Sequence, residues 1–149
     1  MNLLKWLGAL AVVGLVGPIA RTEDKPADAA KKLEGTYTVV EILVDGKASK
    51  KADEITSVEI KDGLMNIKGV KAQEAKFTLD PSKMPMEIVL KTKPDEPTAF
   101  GIYRTKESDK GLELTIAFSY DGGDGDGKRP KDFKGGGTNE VVLKLLRKK

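Results

Sequence analysis

The residues whose type and spacing invite chemistry are carboxylates. In Asp121-Gly-Gly-Asp-Gly-Asp-Gly127, Asp121, Asp124 and Asp126 lie within six residues on a backbone free to turn. Carboxylates so close can wrap a hard cation such as calcium. The spacing departs from the EF-hand loop, and its twelfth position is Asp132 rather than a bidentate Glu. A solvated, glycine-rich hairpin loop is the competing reading. Other acids, such as Glu41 and Glu59, show no spacing that argues for the paired environments of general acid–base catalysis. No catalytic residue is therefore expected, and an enzyme is not expected.

Two absences narrow the chemistry further. The chain contains no histidine and no cysteine. The first removes Ser-His-Asp catalysis and nearly all transition-metal sites. The second removes thiolate nucleophiles, disulfides and cysteine zinc sites. No cofactor is expected. Across 149 residues, 26 Lys and Arg face 23 Asp and Glu, and the two signs alternate. That is not the footprint of a nucleic-acid binder. The closing Arg147-Lys148-Lys149 reads as a solvated tail.

The elements that would position any site begin after a distinctive lead. Met1 to Lys5 carries one positive charge, Trp6 to Val16 is apolar, and Gly17-Pro18-Ile19-Ala20 breaks the run on a small residue. This is the layout of a secretory signal peptide over residues 1–20. The apolar stretch falls short of the roughly 20 residues of a membrane-spanning helix. No cysteine follows, so a lipoprotein anchor is excluded, while an uncleaved N-terminal anchor is the competing reading. Export to the periplasm, the cell envelope or the medium is expected, with no membrane span after cleavage. Residues 21–32 form a polar spacer in which Pro26 or Asp28 can open a short helix that Gly35 closes. Leu33 is its apolar anchor and can plug the base of the strand-rich body.

Residues 33–149 read as strand, turn, strand to the end. Eight short strands are expected over 36–44, 55–61, 64–70, 74–79, 86–93, 98–105, 111–119 and 139–146, with 47–54 as a polar loop. Asp45-Gly46 and Asp62-Gly63 are tight-hairpin signals, and Asp80-Pro81 is a stop. Leu112, Leu114, Ile116 and Phe118 alternate with polar or small residues, as do Val141, Leu143 and Leu145. Between residues 98 and 105 the alternation sets Phe100, Ile102 and Arg104 on the inner face and Tyr103 on the other. The pattern is an all-β antiparallel meander. Closing it into an eight-stranded up-and-down barrel removes its edges. A two-sheet sandwich is the runner-up. Such a barrel is just wide enough to be filled by side chains or to hold one small ligand. Tyr37, Phe77, Phe100 and Phe118 are the candidate interior aromatics, as ligand contacts or as core filling.

Leu33-x-Gly35-Thr36-Tyr37-x-Val39-Val40 with Asp45-Gly46-Lys47 resembles the opening of a lipocalin-like domain family. Its members are small exported proteins, expanded in planctomycete bacteria. Phe77-Thr78-Leu79-Asp80-Pro81-Ser82-Lys83-x-Pro85 is similar to its middle motif. Gly101-Ile102-Tyr103, Leu112-x-Leu114, Arg129-Pro130-x-x-Phe133 and Val142-Leu143-x-Leu145 continue the likeness, which covers roughly residues 31–147. Tyr37 stands where the family usually has Trp, Thr115 where it often has Cys, and the Asp-Gly stretch before Arg129 is an insertion. The resemblance implies the lipocalin-like barrel and export, and it supplies no established activity or ligand. In such barrels an arginine packs across the aromatic near the closed end; Arg104 or Arg129 is expected over Tyr37, with an exposed strand end as the other reading of Arg104. The expected function is a monomeric binding module for a small apolar or amphipathic molecule. The alternative is a solid-core envelope protein acting through its charged surface and loops.

Overall fold

The computed structural model describes residues 25–95, 98–120, 129–137 and 139–149. A short helix, α1 (Pro26–Leu33), is followed by β1 (Gly35–Val44), β2 (Lys47–Ala48), a 3-10 turn (Lys50–Glu54), β3 (Ile55–Lys61), β4 (Leu64–Gly69), β5 (Gln73–Asp80), β6 (Met86–Lys91), β7 (Ala99–Ser108), β8 (Gly111–Tyr120) and β9 (Glu140–Lys148). Neighbouring strands pair antiparallel in chain order. β1 pairs with β3 through Gly35 to Tyr37 and with β9 from Thr38 to Val44, which closes an eight-stranded barrel. The stub β2 lies outside that count. Residues 47–54, expected to be a loop, instead form β2 and the 3-10 turn, whose Ser49 N–H donates to Ile42 O at 2.8 Å.

Local chemistry explains most of the boundaries. Asp45 and Gly46, and again Asp62 and Gly63, hold positive φ values. Two left-handed residues in succession make the turn whose twist matches the flanking strands. Pro26 opens α1, Asp28 lies in its first turn, and Lys31 and Lys32 lie in its last. These charges complement the helix dipole. Eight residues do not make a stable helix alone. Ala29 and Leu33 anchor it by burial against the barrel. Register slips between Val39 and Glu41. Val40 takes up the extra residue and is 61% exposed. The bulge resets the alternation, so that Tyr37 and Val39 face inward before it and Ile42 and Val44 after it.

The inner face carries the main core: Tyr37, Val58, Ile60, Ile88, Ile116 and Leu145 are among its most buried members. A second, smaller apolar cluster sits on the outer wall. There Ile102, Ala117 and Val142 are buried, with Leu43 and Phe133 packed against them. The segment 129–137 straps this wall. Gly135 has φ +67, and a Cβ there would sit 3.0 Å from Val142 Cγ2, so the strap lies close on β9.

This layer reverses the expected faces of β7. Gly101 pairs with Ile88 and Phe118, and its missing Cβ would lie 2.9 Å from Phe118 Cβ, so Gly101 faces inward. Ala99 and Tyr103 follow it into the core. Phe100, Ile102 and Arg104 therefore point outward, against the sequence expectation. The alternation rule takes the polar side to be wet; here the outer side is covered and can hold large apolar residues.

Phe133 is half-buried between the wall and Arg104, whose guanidinium carbon lies 4.5 Å from the ring centroid. Phe133→Ala is expected to cost about 1–3 kcal/mol, less than a fully buried aromatic. Urea denaturation would measure it; an unchanged midpoint would show that the strap contributes nothing to the barrel.

Candidate functional site: the mouth and the plugged base

The two ends of the barrel differ. At the base, α1 closes the interior with Ala29 and Leu33, beside the 62–63 turn, the 81–85 loop and the 109–110 turn. At the mouth lie the 3-10 turn, residues 70–72 and 92–95, and the strap.

Tyr37 organises the base. It has no exposed surface, and its hydroxyl donates to Leu33 O at 2.7 Å, tying β1 to the end of α1. The Arg147 guanidinium stands over its ring, 5.8 Å from the centroid. Arg147 Nη1 donates to Lys32 O at 3.1 Å and also to Glu34 O. The expected arginine on Tyr37 is thus Arg147, and neither Arg104 nor Arg129. Arg104 is exposed and covers Phe133. Arg129 lies on the outer wall, 5.7 Å from the Phe100 centroid, donates to Ile88 O at 3.1 Å and to Gly101 O, and pairs with Glu87 at 3.4 Å. Nor are residues 147–149 a free tail, since β9 runs to Lys148 and Arg147 is half-buried. One signal for this was present in the chain: Arg147 continues the inward alternation of Val141, Leu143 and Leu145.

Burial pushes the Tyr37 hydroxyl above the ordinary tyrosine value, and the nearby Arg147 charge offsets only part of that. The phenol ionises more readily in the unfolded chain, so above pH about 10 the unfolded state binds fewer protons than the native one. The stability from a neutral, buried Tyr37 is full below that pH and is lost as pH climbs through the raised native value. Tyr37→Phe is expected to flatten this alkaline loss. Urea melts at stepped pH would check it; an identical alkaline slope in the variant would refute the assignment.

The mouth holds an apolar recess that bears on ligand binding. Its wall includes Met65, Ala75, Leu90, Ala99 and Phe118, its floor Ile116 and Leu143, and its rim Gln73 and Thr92. Its volume is about 30 Å³. That is room for about one water. Pockets for small molecules run to roughly 300–1,000 Å³. Of the four candidate aromatics, Phe118 lines this recess, Phe77 is buried in the core and Tyr37 lies at the far end. Phe100 is on the outer wall beneath Arg129 and is not an interior residue. The four are not brought together around one cavity.

Asp121, Asp124 and Asp126 lie outside the described residues. Among the described residues no group of three or more acidic side chains is placed to hold a metal ion. Asp132 accepts from Lys134 N at 2.8 Å. Glu41 pairs with Lys144 across β1 and β9, and Glu59 pairs with Lys68 at 2.7 Å across β3 and β4. The Lys68 hydrogen bond and charge hold Glu59 below the usual carboxylate range. These are half-exposed cross-strand ion pairs, each carboxylate beside a cation rather than beside a second acid.

The fold and its ends define a class: a small closed antiparallel barrel, plugged at the base by a helix, with an apolar recess of about 30 Å³ at the mouth. No protein-family model, no curated protein and no solved structure matches the chain.

Proposed function

We propose that the protein is an exported, non-enzymatic lipocalin-like barrel with a packed interior, acting in the cell envelope through its outer surface and loops. The observation that carries this reading is the interior itself. A recess of about 30 Å³ takes a water or a methyl group, not a small-molecule ligand. The signal-like lead over residues 1–20 supports export. The cross-strand ion pairs and the outer strap put the chain's specific polar chemistry on the outside of the barrel.

Titration with a fluorescent apolar probe tests it. No saturable binding is expected at micromolar protein. Saturable one-to-one binding, abolished by Ala99→Leu at the mouth, would overturn the packed-core reading. It would favour the second reading, for which the recess speaks: a barrel that receives the apolar end of a small amphipathic molecule.

A further inference from the structure

We propose that the outer strap is a latched cover: Arg129 buckles residues 129–137 to the wall, and the strap lifts off as a unit while the barrel stays folded. The wall beneath it contains one row of directly opposed residues. Asp80, Glu87, Ile102, Ala117, Val142 and Leu43 pair in that order across β5, β6, β7, β8, β9 and β1. The row is acidic at one end and apolar over the rest. The strap follows it. Arg129 stands at the acidic end, beside Glu87. Phe133 packs on the apolar cluster of Ile102, Ala117 and Val142. A Cβ on Gly135 would lie 3.0 Å from Val142 Cγ2 and 3.5 Å from Gly46 N, in the turn that follows β1.

The latch answers an electrostatic need of the wall. Asp80 and Glu87 are directly opposed carboxylates, an arrangement that costs stability when both are charged. Arg129 relieves it, with Nη2 at 3.4 Å from Glu87 Oε2. Asp80 is held below the usual carboxylate range by its Ser82 hydrogen bond first, with the charges of Lys83 and Arg129 adding to that. Arg129 Nη1 also donates to Ile88 O at 3.1 Å and to Gly101 O, and the guanidinium carbon lies 5.7 Å from the Phe100 centroid. One side chain thus joins the strap to both β6 and β7.

Among the described residues, side-chain contacts and close packing alone hold the strap down. No backbone hydrogen bond joins 129–137 to the barrel backbone among them. The N–H groups of Lys134 and Gly137 go instead to Asp132 Oδ1 and Glu140 Oε2, each at 2.8 Å. Pro130 and Gly135 are buried and Phe133 is half-buried, while Lys131, Asp132, Lys134 and Gly136 are exposed. Nor does the sheet need the strap in order to close. Ser119 and Glu140 are directly opposed on β8 and β9, where a two-residue hairpin would suffice, and residues 120–139 make the connection. Segments held this way open at a lower free energy than the strands they cover. Opening bares Ile102, Ala117 and Val142, an apolar face that the closed protein does not show.

Limited trypsin digestion of the full chain tests this, with the cut sites read by mass spectrometry. Cleavage after Lys131 and Lys134 reports the strap. Cleavage after Lys76 and Lys106, in β5 and β7, reports unfolding of the barrel. Where opening and closing are fast, each rate tracks the population of its open form. The strap sites are expected to be cut at least about tenfold faster than the strand sites. Their dependence on urea is expected to be weaker, because strap opening exposes less surface. The nicked product is expected to keep the circular dichroism of the folded barrel. Arg129→Gln is expected to speed strap cleavage about tenfold, as loss of charge-assisted hydrogen bonds should. Glu87→Gln removes the ion pair but keeps the ring contact and the carbonyl bonds, and is expected to speed it severalfold. It stands in for Arg129→Gln if that variant does not fold. Lys110→Gln, in the turn between β7 and β8, makes the same change in net charge as Arg129→Gln and is expected to leave strap cleavage as it is. One common rate and urea dependence for strap and strand sites would overturn the proposal. So would unchanged strap cleavage in Arg129→Gln, equal acceleration by Lys110→Gln, or a nicked product that unfolds. No readout here involves the interior, so this test and the apolar-probe titration fail independently.

Discussion

Tyr37→Ala lowers the melting temperature by roughly 10–20 °C. Truncating a fully buried aromatic costs about 3–5 kcal/mol. In a domain of this size each kcal/mol is worth roughly 3–5 °C. Tyr37 sits where β1 passes from pairing with β3 to pairing with β9, so its ring fills the seam that closes the barrel. Its loss also strips Leu33 O of its donor and takes the aromatic face from Arg147. Tyr37→Phe separates these contributions. It keeps the ring and the arginine contact and gives up one hydrogen bond, at a cost of about 1 kcal/mol. Thermal denaturation by circular dichroism measures both variants. Equal losses would show that the hydroxyl, not the buried ring, holds the base.

Phe118→Ala costs about 3 kcal/mol and gives the barrel an apolar binding cavity. Phe118 is buried at the mouth and lines the recess. Ile116 and Leu143 beneath it lie on adjacent strands of a closed sheet and cannot slide inward to fill its place. The vacated ring volume joins the existing recess, and apolar cavities of that kind stay dry and take up small aromatics. Urea denaturation reports the cost. A naphthalene-type probe reports the cavity: saturable in the variant and absent in the native chain. A variant of native stability that binds nothing would show that the mouth collapses, and that the packed interior does not depend on Phe118.

The two effects belong to opposite ends of one core, and the sequence exposed them unequally. Strand positions were legible because nearly every strand is bounded by a turn signal that physically ends it. Asp62-Gly63 closes β3 onto β4, and Asp80-Pro81 closes β5. On β3, β5, β8 and β9 the apolar alternation marked the inner face correctly, since side chains on a pleated strand must alternate. The plug was visible too: Pro26, Leu33 and Gly35 mark a helix that starts, anchors and stops. The strap was not, because nothing local to Phe133 says that it crosses the outside of β7, β8 and β9.

The sequence by itself determined an antiparallel meander of eight strands, a helix at its base, and a chemistry without histidine or cysteine. These are consequences of residue type and of spacing along the chain. Only the tertiary structure decided which way β7 faces, which arginine stacks on Tyr37, and how small the recess at the mouth is. Each depends on residues far apart in sequence. Phe100 faces outward because a segment some thirty residues later covers it, and Arg147 reaches Tyr37 because the last strand closes on the first. The size of the recess comes from side chains contributed by several strands at once, which no local pattern can sum.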